Sequence, residues 1–192
     1  MAVLLLSMQR VAIYIDGGYL EKILKYNFKC RTLNFEAFCN KIVKTISPNA
    51  DILRTYYYNC LPYKSSPPTP QEAQRFAKRQ IFYTSLNTIP YFEVRLGKLA
   101  RRKDAQGNIK FEQKLVDVLL SVDLVQLASK GRITDAVIVG GDSDFEPAIQ
   151  MAKNESTVIW LFHQIGMPKN DLWMIADRRI ELNPAFMREL LK

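Results

Sequence analysis

The sequence predicts a doubly wound α/β domain, in which helices flank a mainly parallel sheet in a Rossmann-like, three-layer arrangement. Short runs rich in β-branched and aromatic residues alternate with segments whose apolar residues follow helical spacing, and this alternation is typical of such folds. The chain has 192 residues, of which 48% are hydrophobic, which suits one compact core. We therefore treat residues 1–192 as a single domain.

The predicted elements follow from these patterns. Strands are expected at 10–15, 51–59, 91–99, 109–111, 135–140 and 157–163, and the first six residues are expected to extend the first strand. Helices are expected at 19–26, 34–46, 70–86, 114–130 and 145–154, with a short helix and a strand within 172–182 and a last helix from Pro184. The helix at 114–130 is apolar nearly all round, so we expect it to be mostly buried. Residues 101–108 are expected to turn, so that 109–111 pairs back as a hairpin.

Charge and composition narrow the classes of function. The net charge is +8 and the pI is about 9.4, which favours a polyanionic partner such as nucleic acid. Cys30, Cys39 and Cys60 match no zinc spacing, and their odd number argues against a disulfide framework, so we expect reduced thiols in the cytoplasm. The sole histidine, His163, leaves hydrolases that use a histidine base improbable. No apolar stretch reaches membrane-spanning length.

Aspartates follow two of the expected strands. Asp16 ends the first strand, and Asp142 and Asp144 follow the strand at 135–140. Ligands of doubly wound sheets bind outside the carboxyl ends of the strands, where the strand order reverses. If the two strands are neighbours, these carboxylates converge.

Asp117 and Asp123 lie in an apolar helix, where an ionised carboxylate needs a partner or a cation. They are six residues apart and so do not share a helix face. We therefore favour Asp117 as a ligand and treat Asp123 as secondary and more often structural. Oxygen ligands without histidine or cysteine suit Mg²⁺ or Mn²⁺, which activates water for attack on phosphate.

Each residue also has an ordinary interpretation. Asp16 and Asp144 are normal helix caps, and Asp142 can serve the turn. Ser143 is placed to orient a water or a phosphate oxygen. The basic residues are either solvated or contact phosphate, and we expect the second role for Lys98, Arg101, Arg102 and Lys114.

Three segments resemble the NYN family of PIN-like nucleases, and more closely its LabA-like (DUF88) branch. They are VAIYIDGGYL (11–20), QKLVDVLLSVDLVQLA (113–128) and VIVGGDSDFEPAIQMAK (137–153), with a weaker match in LWMIADRRIEL (172–182). The resemblance implies a PIN-like fold, an acidic site supported by Mg²⁺ or Mn²⁺, and action on RNA. By position, Asp16, Asp117, Asp142 and Asp144 form the acidic site, with Asp123 secondary. We expect Asp16, Asp117 and Asp142 to hold the ion and Asp144 to complete or orient the site. Many relatives carry an asparagine soon after the first aspartate, where this chain has Gly18 and Tyr19.

The sequence thus predicts a metal-dependent ribonuclease, acting on single-stranded or structured RNA, and leaves a homodimer open. The main alternative is a non-catalytic RNA-binding module of the same fold. A partner-binding adaptor has no exposed amphipathic stripe in the sequence to support it. A haloacid-dehalogenase phosphatase needs a second aspartate two residues after the first, where this chain has Gly18.

Overall fold

The computed structural model describes residues 9–29, 32–103 and 109–191. They form one seven-stranded sheet with the order β4-β3-β2-β1-β5-β6-β7, in which β4 is antiparallel to β3 and the other neighbours are parallel. The strands are β1 (Arg10–Asp16), β2 (Asp51–Cys60), β3 (Phe92–Lys103), β4 (Ile109–Lys114), β5 (Asp135–Val139), β6 (Val158–His163) and β7 (Arg178–Glu181). The predicted doubly wound, mainly parallel α/β fold is confirmed.

The helices are α1 (Gly17–Tyr26), α2 (Phe35–Ile46), α3 (Pro70–Leu86), α4 (Val116–Ser129), α5 (Glu146–Asn154), α6 (Asp171–Ile175) and α7 (Pro184–Met187), and a 3₁₀ turn covers Ser143–Phe145. The polar residues before them explain several of these boundaries. Asn34 caps α2 through Ala37 N, and Thr69 forms a capping box with Glu72 before α3. Among the described helices, none has both the length and the apolar character that crossing a membrane requires.

The core lies on both faces of the sheet because side chains of β1 alternate between them. Ile13 and Ile15 pack with α1, α2 and α3 on one face, whereas Ala12 and Tyr14 pack with α4, α5 and α6 on the other. A strand that is buried on both faces reads as a continuous apolar run, which is how β1 appears in the sequence.

The direction of winding reverses at β1. The chain builds β2 and β3 on one side of β1 and then builds β5, β6 and β7 on the other. Ile15 of β1 pairs with Val139 of β5, so the residues that follow these two strands leave the sheet side by side at its carboxyl edge.

Two expectations about the segment from 101 to 130 were wrong. The hairpin is longer than predicted, since Arg101 and Arg102 lie in β3 and Lys114 ends β4 instead of starting a helix. Leu115 has a left-handed backbone conformation (φ 73°) that separates β4 from α4, so the helix starts at Val116. The tip of the predicted turn, residues 104–108, lies outside the described residues. The expected extension of the first strand at 1–6 and Cys30 also lie outside them.

The second correction concerns the burial of α4. Val118 and Val122 are 57% and 56% exposed, although the sequence of the helix is apolar nearly all round. Only the side of the helix that carries Leu120 and Leu124 faces the sheet core. Apolar composition does not reveal that the opposite side has no covering element among the described residues.

Gly97 marks the point at which the hairpin leaves the sheet. It pairs with Cys60 in β2, and a Cβ atom there would collide with the backbone oxygen of Lys114 and lie 2.9 Å from a methyl group of Val116. The first turn of α4 can approach β3 closely only because this position has no side chain.

We predict that Gly97→Ala destabilises the fold by about 1–3 kcal/mol, because backbone atoms cannot yield as a flexible side chain would. Urea unfolding followed by circular dichroism measures the change. Lys98→Ala, at the exposed neighbouring position, is the control and should stay within about 0.5 kcal/mol of the parent. Equal stability of Gly97→Ala and the parent would contradict the close packing at this crossing.

Candidate metal centre

Three carboxylates meet at the carboxyl edge of the sheet. Asp142 and Asp144 lie in the turn after β5, and Asp117 lies in the first turn of α4. Each offers one oxygen, and the three oxygens lie within 4.8 Å of one another. Ligands on opposite sides of a Mg²⁺ ion are about 4.2 Å apart. Small side-chain movements would therefore close this group around one ion.

The turn that carries Asp142 is held by its own hydrogen bond and by its neighbours. The Asp142 carboxylate accepts a hydrogen bond from the backbone N–H of Asp144 (3.0 Å), which caps the 3₁₀ turn. Gly141 lies directly against the ring of Tyr19, where a Cβ atom would collide with ring carbons. The side-chain amide of Asn170 donates to the Gly141 carbonyl oxygen (3.1 Å). The backbone before Asp142 is thereby fixed from both sides.

Asp16 lies across the same cavity. It ends β1, and its carboxylate accepts a hydrogen bond from Tyr19 N (3.0 Å) as the N-cap of α1. The capping interpretation and a place in the acidic site are thus compatible. The cavity has a volume of about 480 Å³, and both Asp16 and Asp117 line it. Asp16 is not among the three carboxylates whose oxygens lie within 4.8 Å of one another.

Burial and mutual repulsion raise the pKa of two of these carboxyls. The pKa of Asp117 is raised first by burial and then by the negative charges of Asp142 and Asp144. Burial also raises the pKa of Asp16, with a further increase from Asp117, although the hydrogen bond from Tyr19 N acts in the opposite direction. A divalent cation would relieve this repulsion, and an all-oxygen set of carboxylates suits a hard ion such as Mg²⁺ or Mn²⁺.

Asp123 is not among the three clustered carboxylates, and its contacts are with other partners. The carboxylate accepts a hydrogen bond from the Tyr58 hydroxyl (2.9 Å) and lies 3.3 Å from Nε of Arg95. It is buried between α4 and the neighbouring strands, with a partner of its own. A phenol and a guanidinium thus compensate this charge without an ion.

The other predicted site residues divide into two places. Ser143 lines the cavity beside Asp142. Lys98, Arg101, Arg102 and Lys114 lie on the β3–β4 hairpin and do not line the cavity. The hairpin is nevertheless at the same edge of the sheet, because it continues past the last residues of β2.

Sequence reasoning missed several residues at the site. Lys22 lines the cavity one and a half turns into α1, and its spacing of six residues from Asp16 does not predict that the two side chains share a helix face. Glu146 and Asp171 line a neighbouring cavity of about 700 Å³ that shares Asp117 and Ser143 with the first. No pattern in the sequence links Asp171 to the cluster, since α6 is packed there by contacts distant along the chain.

Comparison with known proteins identifies the family of the chain. Residues 10–183 match the NYN domain family. The chain is a member of the NYN family. The segments IDG, KLVD and GGDSDF of this NYN protein are those that supply Asp16, Asp117, Asp142 and Asp144.

One relative supports the branch of the NYN protein, and one solved structure supports its fold. The chain is 28% identical over 179 residues to the low amplitude and bright protein LabA of Synechococcus elongatus. The alignment covers 91% of this chain and 84% of LabA, and it supports the LabA-like branch. A crystal structure of VPA0982, a protein of unknown function from Vibrio parahaemolyticus, superimposes with a TM-score of 0.65. That match has 15% identity and covers 96% of this chain and 97% of the other, so it supports the shared fold.

We predict that Asp117→Asn stabilises the metal-free protein at neutral pH, because it removes one of several repelling charges. The folded-state pKa of Asp117 is raised, so ionisation costs stability as pH rises above the ordinary value of 3.8. The difference between variant and parent should therefore vanish below that pH and grow above it. Thermal unfolding in EDTA across a pH series measures the effect.

Asp51→Asn is the matched control, since Asp51 is an exposed carboxylate at the opposite edge of the sheet. With saturating Mn²⁺ the order should reverse, because the parent would gain more stability from the ion than the variant. A variant that is less stable than the parent in EDTA at neutral pH would show that repulsion does not dominate the cluster.

Proposed function

We propose that this NYN protein is a metal-dependent ribonuclease that hydrolyses RNA phosphodiester bonds with an aspartate-bound Mg²⁺ or Mn²⁺ ion. The observation that carries the proposal is the convergence of Asp117, Asp142 and Asp144 to within 4.8 Å beside Asp16. Carboxylates this close together, two of them from one short turn, repel each other, and a bound cation would relieve that repulsion. The family membership of the chain supports the same conclusion.

The residues at the site have three proposed roles: holding the ion, orienting the water and contacting phosphate. Asp117, Asp142 and Asp144 would hold the ion, which supplies an activated water and neutralises charge on the phosphoryl group. Asp16 faces them across the cavity and would orient the attacking water through the carboxylate oxygen that does not cap α1. The Ser143 hydroxyl and the Lys22 ammonium line the same cavity and would contact phosphate oxygens. The chain has a single histidine, and this scheme needs none.

RNA as the substrate is supported by the charge of the chain and by the family. The chain has a net charge of +8 although the candidate site is acidic, so a phosphate backbone would be attracted to the protein while a cation is held at one place. A cytoplasmic location fits the two cysteines in the described residues, Cys39 and Cys60, which are buried free thiols.

One observation favours a second candidate, a non-catalytic RNA-binding module. Tyr19, near the position where many relatives carry an asparagine, has its hydroxyl bound by Gln164 N (2.9 Å) and its ring against Gly141. A side chain used in this way holds structure instead of contacting substrate. Such a module would keep the fold and the basic surface and would use the acids weakly.

Cleavage of labelled single-stranded RNA, with Mn²⁺ or Mg²⁺ against EDTA, separates the two candidates. We predict metal-dependent cleavage that falls by at least about 100-fold in Asp142→Asn, since even loss of outer-sphere support at a metal site costs 10–100-fold. Asp51→Asn is the control and should cleave like the parent. RNA binding without cleavage in any metal, unchanged in Asp142→Asn, would overturn the ribonuclease and support the binding module.

We also predict that the hairpin lysines and arginines set the salt dependence of binding. Each lost phosphate contact should reduce the slope of log affinity against log salt by about 0.7 for a single strand. Lys98→Ala combined with Arg102→Ala should therefore lower the slope by about 1.4, measured by fluorescence anisotropy in an Asp142→Asn background. Lys44→Ala combined with Lys130→Ala, at the opposite edge of the sheet, should leave the slope as it is. An unchanged slope in the hairpin variant would remove these residues from the binding surface.

A further inference from the structure

Tyr63, Arg101 and Phe111 form a small exposed surface, which we call the hairpin platform. Phe111 and Tyr63 are in ring contact, with centroids 5.1 Å apart, and Phe111 is 51% exposed. The guanidinium carbon of Arg101 lies 5.7 Å from the centroid of the Tyr63 ring. A single exposed apolar side chain is ordinary, but an exposed ring that packs on a second ring with a guanidinium nearby has the arrangement that stacks nucleic-acid bases.

The platform lies at the same edge of the sheet as the acidic cluster. β2 ends at Cys60, which pairs with Gly97, so from Lys98 onward β3 pairs only with β4 and projects past the carboxyl ends of the central strands. Tyr63 lies in the segment that leaves β2 at this same edge. Six residues separate Phe111 from Asp117, so their Cα atoms are at most about 22 Å apart. That distance corresponds to about six stacked nucleotides.

The register of the hairpin sorts its basic residues onto two faces. Arg101 pairs directly with Phe111, so these side chains share one face, whereas Lys98 pairs with Lys114 on the other. Between residues 98 and 114 the sequence has six lysines or arginines and two acids, which is half of the net charge of the chain. The exposed ring is therefore set within the most basic segment of the sequence.

A partner for this surface must combine negative charge with flat apolar faces. Single-stranded nucleic acid does so, because its unpaired bases stack on aromatic rings while its phosphates contact the cations beside them. A duplex offers the phosphates but keeps its base faces stacked inside, and an apolar protein surface offers no charge to match the arginines and lysines.

We propose that the hairpin platform binds single-stranded RNA by stacking an unpaired base on Phe111, and so guides the strand toward the acidic cluster. This inference rests on the proposed ribonuclease function and names the form of its substrate. Tyr63 supports the Phe111 ring from the side of the β2 loop, and Arg101 lies beside both to contact the adjacent phosphate. The substrate preference would then be set by the hairpin, and the chemistry by the aspartates.

Binding in the absence of cleavage tests the platform. Binding of a labelled oligouridine to the Asp142→Asn protein is measured in EDTA by fluorescence anisotropy. Each further substitution is made in this Asp142→Asn background protein. Phe111→Ala should weaken single-strand binding by about 5- to 150-fold, the range of one lost stacked base, and should leave binding of an RNA duplex within about twofold. Phe111→Trp should restore binding. A 2-aminopurine placed in the oligonucleotide should lose fluorescence on binding to the Phe111 protein and regain it with Phe111→Ala.

Tyr26→Ala is the matched control. Tyr26 is also an exposed ring, 67% accessible, with the ammonium of Lys25 4.7 Å from its centroid, but it lies at the far end of α1. The Tyr26→Ala variant should bind the single strand and the duplex as tightly as the background protein does. Equal effects of Phe111→Ala and Tyr26→Ala, or equal losses on single strand and duplex, would overturn the platform. If the parent cleaves RNA while Phe111→Ala binds it normally, the platform fails and the ribonuclease stands. If the background protein binds neither RNA and the parent does not cleave, both fail.

Discussion

The parallel pairing of β1 with β5 is the contact on which the site depends. Both strands are buried in the centre of the sheet, and Ile15 lies opposite Val139. Both strands are buried on both faces, so a slip of one residue would exchange the side chains that pack with α1 and α2 for those that pack with α4 and α5 and would disrupt both close-packed cores. Because the register is fixed, Asp16 and the turn carrying Asp142 leave the sheet together. Packing of apolar side chains thereby holds carboxylates at a spacing that their own charges oppose.

The contrast between Asp117 and Asp123 shows how the fold separates a structural acid from one available to a ligand. Both lie on α4 among valines and leucines, yet Asp123 is hydrogen bonded by Tyr58 and lies beside Arg95. The pKa of Asp117 is raised first by burial and then by the negative charges of Asp142 and Asp144. A protein selected only for stability would compensate both acids alike. Among the described residues Asp117 has no such partner, and it lies where the proposed cation would bind.

The sequence predicted those features that depend on local chemistry or on one buried strand. The cap at Thr69 and the apolar run of β1 were recognisable because each is a short pattern with one physical meaning. The long hairpin was not, because strand pairing across a turn competes with an equally good helical pattern that begins at Lys114. The junction between them is the left-handed backbone of Leu115, and leucine gives no sign of it in a sequence. The contact of Tyr63 with Phe111 spans two elements and has no local signature either.

Tyr19 shows how a departure from the family pattern can serve the same site by another route. Its backbone N–H donates a hydrogen bond to the Asp16 carboxylate, its ring packs against Gly141, and its hydroxyl accepts a hydrogen bond from Gln164 N. One residue therefore joins the end of β1, the turn after β5 and the segment after β6. These are the three places where neighbouring parallel strands end, and nothing in the sheet itself ties them together beyond its edge. A small polar side chain could not span this distance. Tyr19 therefore stiffens the backbone that presents the carboxylates.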